Sequence, residues 1–523
     1  MSTVDLGHAN ERHRTSFLIV VAVGLCLYLP LLTRNYDING LMEASAVESG
    51  DAVALWNPNH MLYRPVGYLI LRTLEAVGIQ IGVVPFLQVL SAIFGALGIG
   101  FAYLAFERLS ENRTIAIWIS VALGASWSYW TLSTDVYYYS MAAMLVAASL
   151  AVFVRGDSTP SLILCGVLAG LSILACQVNV VLIPGLAVAA ILNEPSGQIR
   201  RGIRNALWIW ISAAAAVGVT FLATGVLVHD RRSITEFLNW GTNYTGTRLP
   251  MWGSWWPPSR FMQTTGSAFR SVVGMDFWMF SFFPGYLKDG KFLSWVGPLG
   301  FVIMASLLIV AYRRSSGWTS RRNRAIFWLL VLYATYIPFV TWWESIEPRW
   351  FIVPNIFLAA LTAVILSQWR PLSLVRIALP AGVLMLTAFN LATSAWPKHF
   401  RQSNPSKMAA CVAGHLDRED LFLATEWNWA DYLRQIHDRS VVSFIGEVSI
   451  ASRDKKIAME KIRTIAQERK RNGGDVYMTD IASYPADYMQ WFTEQTGITS
   501  EELRTYQGSP AFECLGSNFL RLD

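Results

Sequence analysis

Residues 34–72 read RNYDINGLMEASAVESGDAVALWNPNHMLYRPVGYLILR. Asp37, Glu43, Glu48, Asp51, His60 and Arg64 stand here among aromatics, Pro58, Pro65 and Gly67, directly after a hydrophobic run from Ser16 to Thr33. The rest of the chain is very different. Of 523 residues, 53% are hydrophobic and 15% charged, and the mean hydropathy is +0.37, too apolar for an ordinary soluble enzyme. The composition predicts a polytopic α-helical membrane protein. In such a protein, a polar stretch beside the first span is where chemistry is expected.

A span needs about 20 apolar residues. Candidates fall at 16–33, 81–105, 114–132, 136–154, 161–176, 177–192, 206–228, 293–312, 325–342, 350–367 and 374–394, about eleven in all. The first has no convincing small-residue cleavage site after it and is read as a retained span. The pair 161–176 and 177–192 is separated only by the polar turn at Gln177 and Asn179; fused into one helix, it would put every later loop on the other side.

Loop charge supports the split. With the N-terminus inside, the cytoplasmic connections carry Arg108 and Arg113, Arg155, Arg200, Arg201 and Arg204, then Arg313 to Arg324, then Arg370 and Arg376. The short outer turns at Asp135, Gln177 and Glu344–Arg349 hold one basic residue, Arg349. That asymmetry is what the positive-inside rule requires. It also explains the net charge of +6 and the pI near 9.0 without nucleic acid. The outer face then gathers a first loop over 34–80, the turn at Asp135, a long loop over 229–292 and the loop of Arg349. The long loop, with Trp252-Gly253-Ser254-Trp255-Trp256-Pro257-Pro258, reads as an anchor at headgroup depth or a lid over a lipid substrate.

Residues 1–395 are thus read as a membrane domain and 396–523 as a small α/β soluble domain. In the latter, β-like runs at 421–424, 441–445 and 476–479 alternate with helix-like stretches at 429–437, 457–471 and 487–496. An odd number of spans places it outside the cytoplasm, where Cys411 and Cys514 could pair. Cys26, Cys165 and Cys176 read as small apolar residues, and no zinc-ligand spacing occurs.

Asp37 follows the first span closely, so its carboxylate lies near the membrane surface and can take a proton from an attacking hydroxyl. An ordinary interfacial acid is the bland alternative. Glu43 and Glu48 read as solvated or structural, and Asp51 as a turn residue after Gly50. His60 and Arg64 face one way if their stretch is helical, and the guanidinium fork suits a phosphate; snorkelling to lipid headgroups would explain an interfacial Arg equally. Asp135 is a helix cap or a functional acid. Arg349 stands against the charge bias and is the better anion ligand, with Glu344 or Glu347 as structural partners.

The order of these features resembles the GT-C glycosyltransferases, above all the glycosyltransferase family 39-like group of protein O-mannosyltransferases and lipid A aminoarabinose transferases. Asp37, Gly50-Asp51 and Arg64-Pro65 follow that group's first-loop order. Arg349-Trp350-Phe351-Ile352-Val353-Pro354 matches its late Arg-aromatic pair before proline, and Asp135-Val136-Tyr137 is similar to a Glu-Val-Tyr turn. The chain departs from the pattern in having Asp37-Ile38 where two acids are usual, Arg64 for lysine and Val66 for a second proline.

The resemblance implies a GT-C-type bundle and transfer of a hexose or pentose, with inversion, from a polyprenyl-phosphate-linked donor to a lipid, glycan or protein acceptor. Asp37 would be the base, while His60, Arg64, Asp135, Tyr137 and Arg349 would hold substrate. No cofactor is firmly implied; a divalent metal is conceivable, but the first loop has no Asp-x-Asp. Membrane lipids are expected partners and nucleic acid is not. The expected location is a bacterial inner membrane with an extracytoplasmic site. A lipid-linked substrate transporter or flippase is the alternative.

Overall fold

The computed structural model describes residues 3–156, 158–195, 197–242, 259–274, 320–369, 372–426, 429–450, 454–506 and 508–522, with isolated positions between 299 and 309. The expected span at 293–312 and the Trp252–Pro258 run lie outside these residues, apart from those isolated positions. Contacts divide the chain into two units.

The first unit comprises Met1–Thr33, Gly50–Phe237 and Pro250–Phe400. Its helices are α1 (Thr3–Tyr28), then, after the α2 segment of the second unit (Ile38–Ser49), α3 (Ala52–Leu55), α4 (Tyr63–Ala76), α5 (Val83–Ser110) and α6 (Arg113–Ala125). There follow α7 (Trp127–Ser133), α8 (Tyr138–Arg155), α9 (Thr159–Ala175), α10 (Leu182–Asn193), α11 (Ile199–Leu227) and α12 (Ile234–Thr242), which runs on past Phe237. Among the described residues there are also α13 (Ser259–Arg270), α14 (Ser320–Trp343), α15 (Pro354–Leu366), α16 (Leu372–Asn390) and the short helix Trp396–Phe400.

Among the described residues, six helices or helical runs are long and apolar enough to cross a membrane: His13–Leu31, Val83–Ser110, Tyr138–Arg155, Ile199–Leu227, Asn323–Trp343 and one beginning at Ser373. The bent pair α6–α7 makes a seventh if counted as one span, and Thr159–Ala175, Gln177–Asn193 and Pro354–Leu366 are shorter apolar helices. The break at Gln177 is real: a 3-10 turn, Gln177–Val181, separates α9 from α10.

Helix α5 is the centre, with α1, α6, α8 and α15 packed around it. Further out, α9 lies against α8 and α11. Gly170 permits that approach, because a Cβ there would stand 2.9 Å from the Ala213 carbonyl oxygen of α11. Small residues let helix backbones close up where burial of apolar surface supplies little drive.

The α6–α7 pair bends by 64° at Ser126, whose ψ of 147° is extended. A broken helix in apolar surroundings exposes backbone groups that must find partners. Here Asn390 donates to the Ala125 carbonyl at 2.8 Å, and the Trp127 and Ser128 amides donate to the Val272 and Ser271 carbonyls at 3.1 and 2.9 Å.

The second unit holds Arg34–Ser49, a short piece beginning at Leu238, and Arg401–Asp523. Its five-stranded sheet has the order β2-β1-β3-β5-β4, with β1 at Leu421–Ala424, β2 at Ser440–Ser443, β3 at Val476–Thr479, β4 at Gly508–Cys514 and β5 at Ser517–Leu522. Strands β2, β1 and β3 are parallel; β3, β5 and β4 are antiparallel. The three sequence-predicted runs are β1, β2 and β3, while the hairpin β4–β5 adds to them. Leu423, Phe444, Ile462, Met478 and Phe492 form the core. Cys411 and Cys514 are joined, tying helix Asn404–Ala413 to β4.

The segment after the first span is part of this unit. Helix α2 packs on helix Ala430–Gln435, the Tyr432 hydroxyl donates to the Tyr36 carbonyl at 2.7 Å, and Asn35 bonds Arg401 and Ser403. Glu43, expected to be solvated or structural, is not solvated: it is 1% exposed on the face of α2 that also buries Leu41, Ala44 and Val47.

Candidate active site

Within the first unit, several turns meet at one end of the bundle. The Thr33 amide donates to the Thr134 carbonyl at 2.9 Å, joining the end of the first span to the turn before α8. Gln88 of α5 donates to the Thr33 and Thr134 carbonyls, at 2.9 and 3.2 Å. One turn further along α5, the Ser91 hydroxyl accepts from the Tyr137 amide at 3.2 Å and lies 3.0 Å from the Tyr63 hydroxyl. Polar groups buried among apolar helices are costly unless bonded, so these contacts fix the 133–138 turn.

Onto that turn comes the loop between α14 and α15. Arg349 donates to the Tyr137 hydroxyl at 3.0 Å and to Glu344 at 3.4 Å, with Glu347 at 4.0 Å. Glu344 also accepts from the Trp350 indole at 3.1 Å, and the Arg349 guanidinium lies 5.6 Å from the Trp350 ring. The two acids named in the sequence are therefore partners of Arg349, and they orient it. Local folding explains the presentation: Glu347 caps the 3-10 turn Pro348–Phe351 by accepting from the Arg349 amide, and Pro354 then starts α15.

Asp135 and Tyr137 are both buried, at 8% and 2% exposed. Asp135 is not the cap of α8; Tyr137 occupies that position, and the Asp135 carboxylate accepts from the Val136 amide at 2.7 Å.

His60 lies three residues before α4 begins, in a turn where its amide donates to the Asn57 carbonyl at 3.1 Å. The expected helical alignment of His60 with Arg64 is therefore absent. Pro58 accounts for it in part, lacking the amide that a helix running through would use. Instead the His60 ring stacks on Tyr138 at 3.7 Å, while Arg64, in the first turn of α4, donates to the Ala54 carbonyl at 2.7 Å. Both side chains are buried. The loop is moored to the α9–α10 turn by Gln177 to the Pro58 carbonyl (2.8 Å) and by the Leu62 amide to the Leu174 carbonyl (3.2 Å).

An aromatic row links the two cationic regions: His60 on Tyr138, Tyr138 beside Tyr139 at 4.3 Å, and Tyr139 edge-on to Trp350 at 5.5 Å. The structure thus gathers His60, Asp135, Tyr137 and Arg349 on one wall. It fixes Arg64 one turn of chain from His60.

Asp37 belongs to the second unit. Its Oδ1 accepts from both the backbone and side-chain nitrogens of Asn39, each at 2.9 Å, and its carbonyl accepts from the Leu41 amide. Asp51, beyond Gly50 with φ +66°, caps α3 by accepting from the Ala54 amide at 2.8 Å, as its turn position suggested.

Sequence reading missed Gln88, Ser91 and Tyr63, which hold the wall in place. The signal was available: two polar residues three apart in an otherwise apolar run. For a metal, the grouping found among the described residues is Cys411, His415 and Cys514, whose sulfurs are already bonded to each other.

Solved structures share this architecture. ArnT from Cupriavidus metallidurans bound to undecaprenyl phosphate is 15% identical, with a TM-score of 0.57 over 96% of this chain and 97% of that one. The fold is that of the GT-C glycosyltransferases. The Archaeoglobus fulgidus oligosaccharyltransferase in complex with zinc and sulfate is 12% identical, with a TM-score of 0.53 over 97% of this chain and 73% of that one. AglB from the same organism, in complex with an inhibitory peptide and a dolichol-phosphate, is 12% identical with a TM-score of 0.52, over 98% and 76% of the two chains. No family model and no curated protein matches by sequence. At such identities the GT-C likeness is one of fold.

Proposed function

We propose that this protein is a membrane glycosyltransferase that moves a hexose or pentose from a polyprenyl-phosphate carrier to a lipid, glycan or protein acceptor. Its membrane part would have eleven spans, placing the reaction and the α/β domain on the extracytoplasmic side of a bacterial inner membrane. The observation that carries the reading is the Arg349–Tyr137 pair, a guanidinium oriented at the end of a helical bundle beside a wall of aromatic rings. A planar fork of donors suits a lipid phosphate, and the rings suit the apolar and sugar portions next to it. The fold shared with proteins solved with undecaprenyl phosphate and dolichol-phosphate supports the same donor class.

In this proposal Arg349 holds the donor phosphate together with Arg64 and His60, Tyr137 beside the arginine binds substrate and keeps the guanidinium in register, and Asp135 binds substrate. The acceptor oxygen bonds to the anomeric carbon as the bond from that carbon to the phosphate oxygen breaks. The electron pair leaves with the polyprenyl phosphate, and the acceptor proton passes to Asp37. Phosphate is already a competent leaving group, so the rate depends on orientation and on cations facing the charge that develops.

The test is direct. Purified protein in nanodiscs receives labelled short-chain polyprenyl-phosphate hexoses and pentoses with candidate acceptors, and release of polyprenyl phosphate is followed. Turnover that falls in Arg349→Ala is expected. Absence of turnover with every donor, or an Arg349→Ala variant as active as the parent, overturns the proposal.

A further inference from the structure

Helix α13 is built the wrong way round for a segment lying on a bilayer. Arg260, Thr264, Ser267 and Ser271, at spacings of four, three and four, form a polar stripe that is buried, while Phe261 and Met262 are exposed. A helix that hides its polar face beside lipid does so because protein partners satisfy it.

Those partners are consecutive. The Arg260 guanidinium donates to the Thr341 and Trp343 carbonyls, both at 3.1 Å, and the hydroxyls of Thr264 and Thr341 are 3.0 Å apart. Ser345 donates to the Gln263 side chain at 2.7 Å, Ser267 donates to the Ser345 carbonyl at 2.8 Å, and Arg270 donates to the Ile346 carbonyl. The last turn of α14 leaves carbonyls without intrahelical partners, and cations are favoured there. Every one of these contacts falls on 341–346, the residues that include Glu344 and lead into Glu347 and Arg349.

The chain just past α13 is fastened elsewhere. Ser271 and Val272 accept the Ser128 and Trp127 amides at the start of α7, and Asn355 donates to the Ser271 hydroxyl at 2.9 Å. Helix α7 runs straight into the turn of Asp135 and Tyr137. One rigid helix therefore connects both partners of the Arg349–Tyr137 bond by a second route.

We propose that α13 is a positioning element that sets where Arg349 meets the donor phosphate, with Gln263, Ser267 and Arg270 acting through Arg349 and touching no substrate. This rests on the reading of Arg349 as the phosphate ligand. It differs from an interfacial anchor in that the polar contacts of α13 are to protein groups, and from a lid in that α13 stays fixed.

The full-length protein in nanodiscs is titrated with a short-chain polyprenyl phosphate. Ser267→Ala and Arg270→Gln are expected to weaken binding about tenfold, with partial rescue by Arg270→Lys, and to weaken it less than about twofold when Arg349→Lys is already present. Gln263→Ala, which removes one side-chain contact at a half-buried position, keeps the test open if the others fail to fold. Equal losses with and without Arg349→Lys, or no loss in any α13 variant, overturn the inference. If Arg349→Lys itself binds as tightly as the parent, the phosphate-ligand reading fails instead.

Discussion

Arg349 donates a 3.0 Å hydrogen bond to the hydroxyl of Tyr137, a residue 212 positions earlier in the chain. The bond ties the loop before α15 to the turn before α8, and it makes the phenol a stop against which the guanidinium is aimed. Truncating either partner separates orientation from charge.

Tyr137→Phe should weaken donor use by roughly fivefold, the worth of one net hydrogen bond of about 1 kcal/mol. Arg349→Ala should cost about two to three decades in turnover, as removal of a charge-stabilising donor does. Initial rates against donor concentration give both numbers; equal effects for the two variants would mean that Tyr137 does more than orient.

Asp37→Asn keeps the shape of the side chain and removes its basicity. Transfer to a hydroxyl acceptor should fall by about two to four decades while binding of polyprenyl phosphate is unchanged. Rates and binding measured on one preparation decide it, and near-parental transfer would remove Asp37 from the mechanism.

Glu426 follows β1 and is buried, its Oε1 accepting from Thr479 and Tyr484, and burial pushes its carboxyl up to about 7. The folded state thus holds a proton that an unfolded carboxyl, near 4.5, has lost. Stability from this group is full below about pH 4.5, declines as pH rises toward 7 and is gone above it, a swing on the order of 3 kcal/mol. Glu426→Gln should flatten that slope and raise the Tm of the α/β unit at pH 8, read by thermal unfolding at several pH values. An unchanged slope would show the carboxyl to be solvated.

Cys411 and Cys514 close a loop of 103 residues around most of the α/β unit. Cross-linking so distant a pair restricts the unfolded chain by about 5 kcal/mol in the loop-entropy account. Cys411→Ser, or reduction, should lower the Tm of this unit while the helical signal of the membrane part stays intact. Calorimetry beside far-UV circular dichroism separates the two.

Much of this was legible from hydropathy and loop charge. The break at Gln177 and the turn at Asp135 come from counting apolar runs, because the bilayer imposes length on a span, and the attention to Arg349 comes from its being the basic residue of its short turn. The same method fails inside the polar first loop, where nothing apolar marks an edge. Helix α2 and the non-helical placement of His60 depend on tertiary partners that local sequence does not announce. The hairpin β4–β5 escaped because Pro510 and exposed polar residues break the alternation a strand is recognised by. The buried stripe of α13 was readable at Arg260, Thr264, Ser267 and Ser271, but helix faces are usually scanned for apolar stripes alone.

The docking of α2 onto the helix at Ala430–Gln435 has a consequence for biogenesis. Helix α2 finds its partner only after the ribosome has added almost four hundred more residues. Until then Leu41, Ala44 and Val47 present a greasy face with nowhere to go, open to chaperones or proteases. A premature stop before Ala430 would therefore leave α2 without its partner, and quality control would recognise the unfinished product by that uncovered helix.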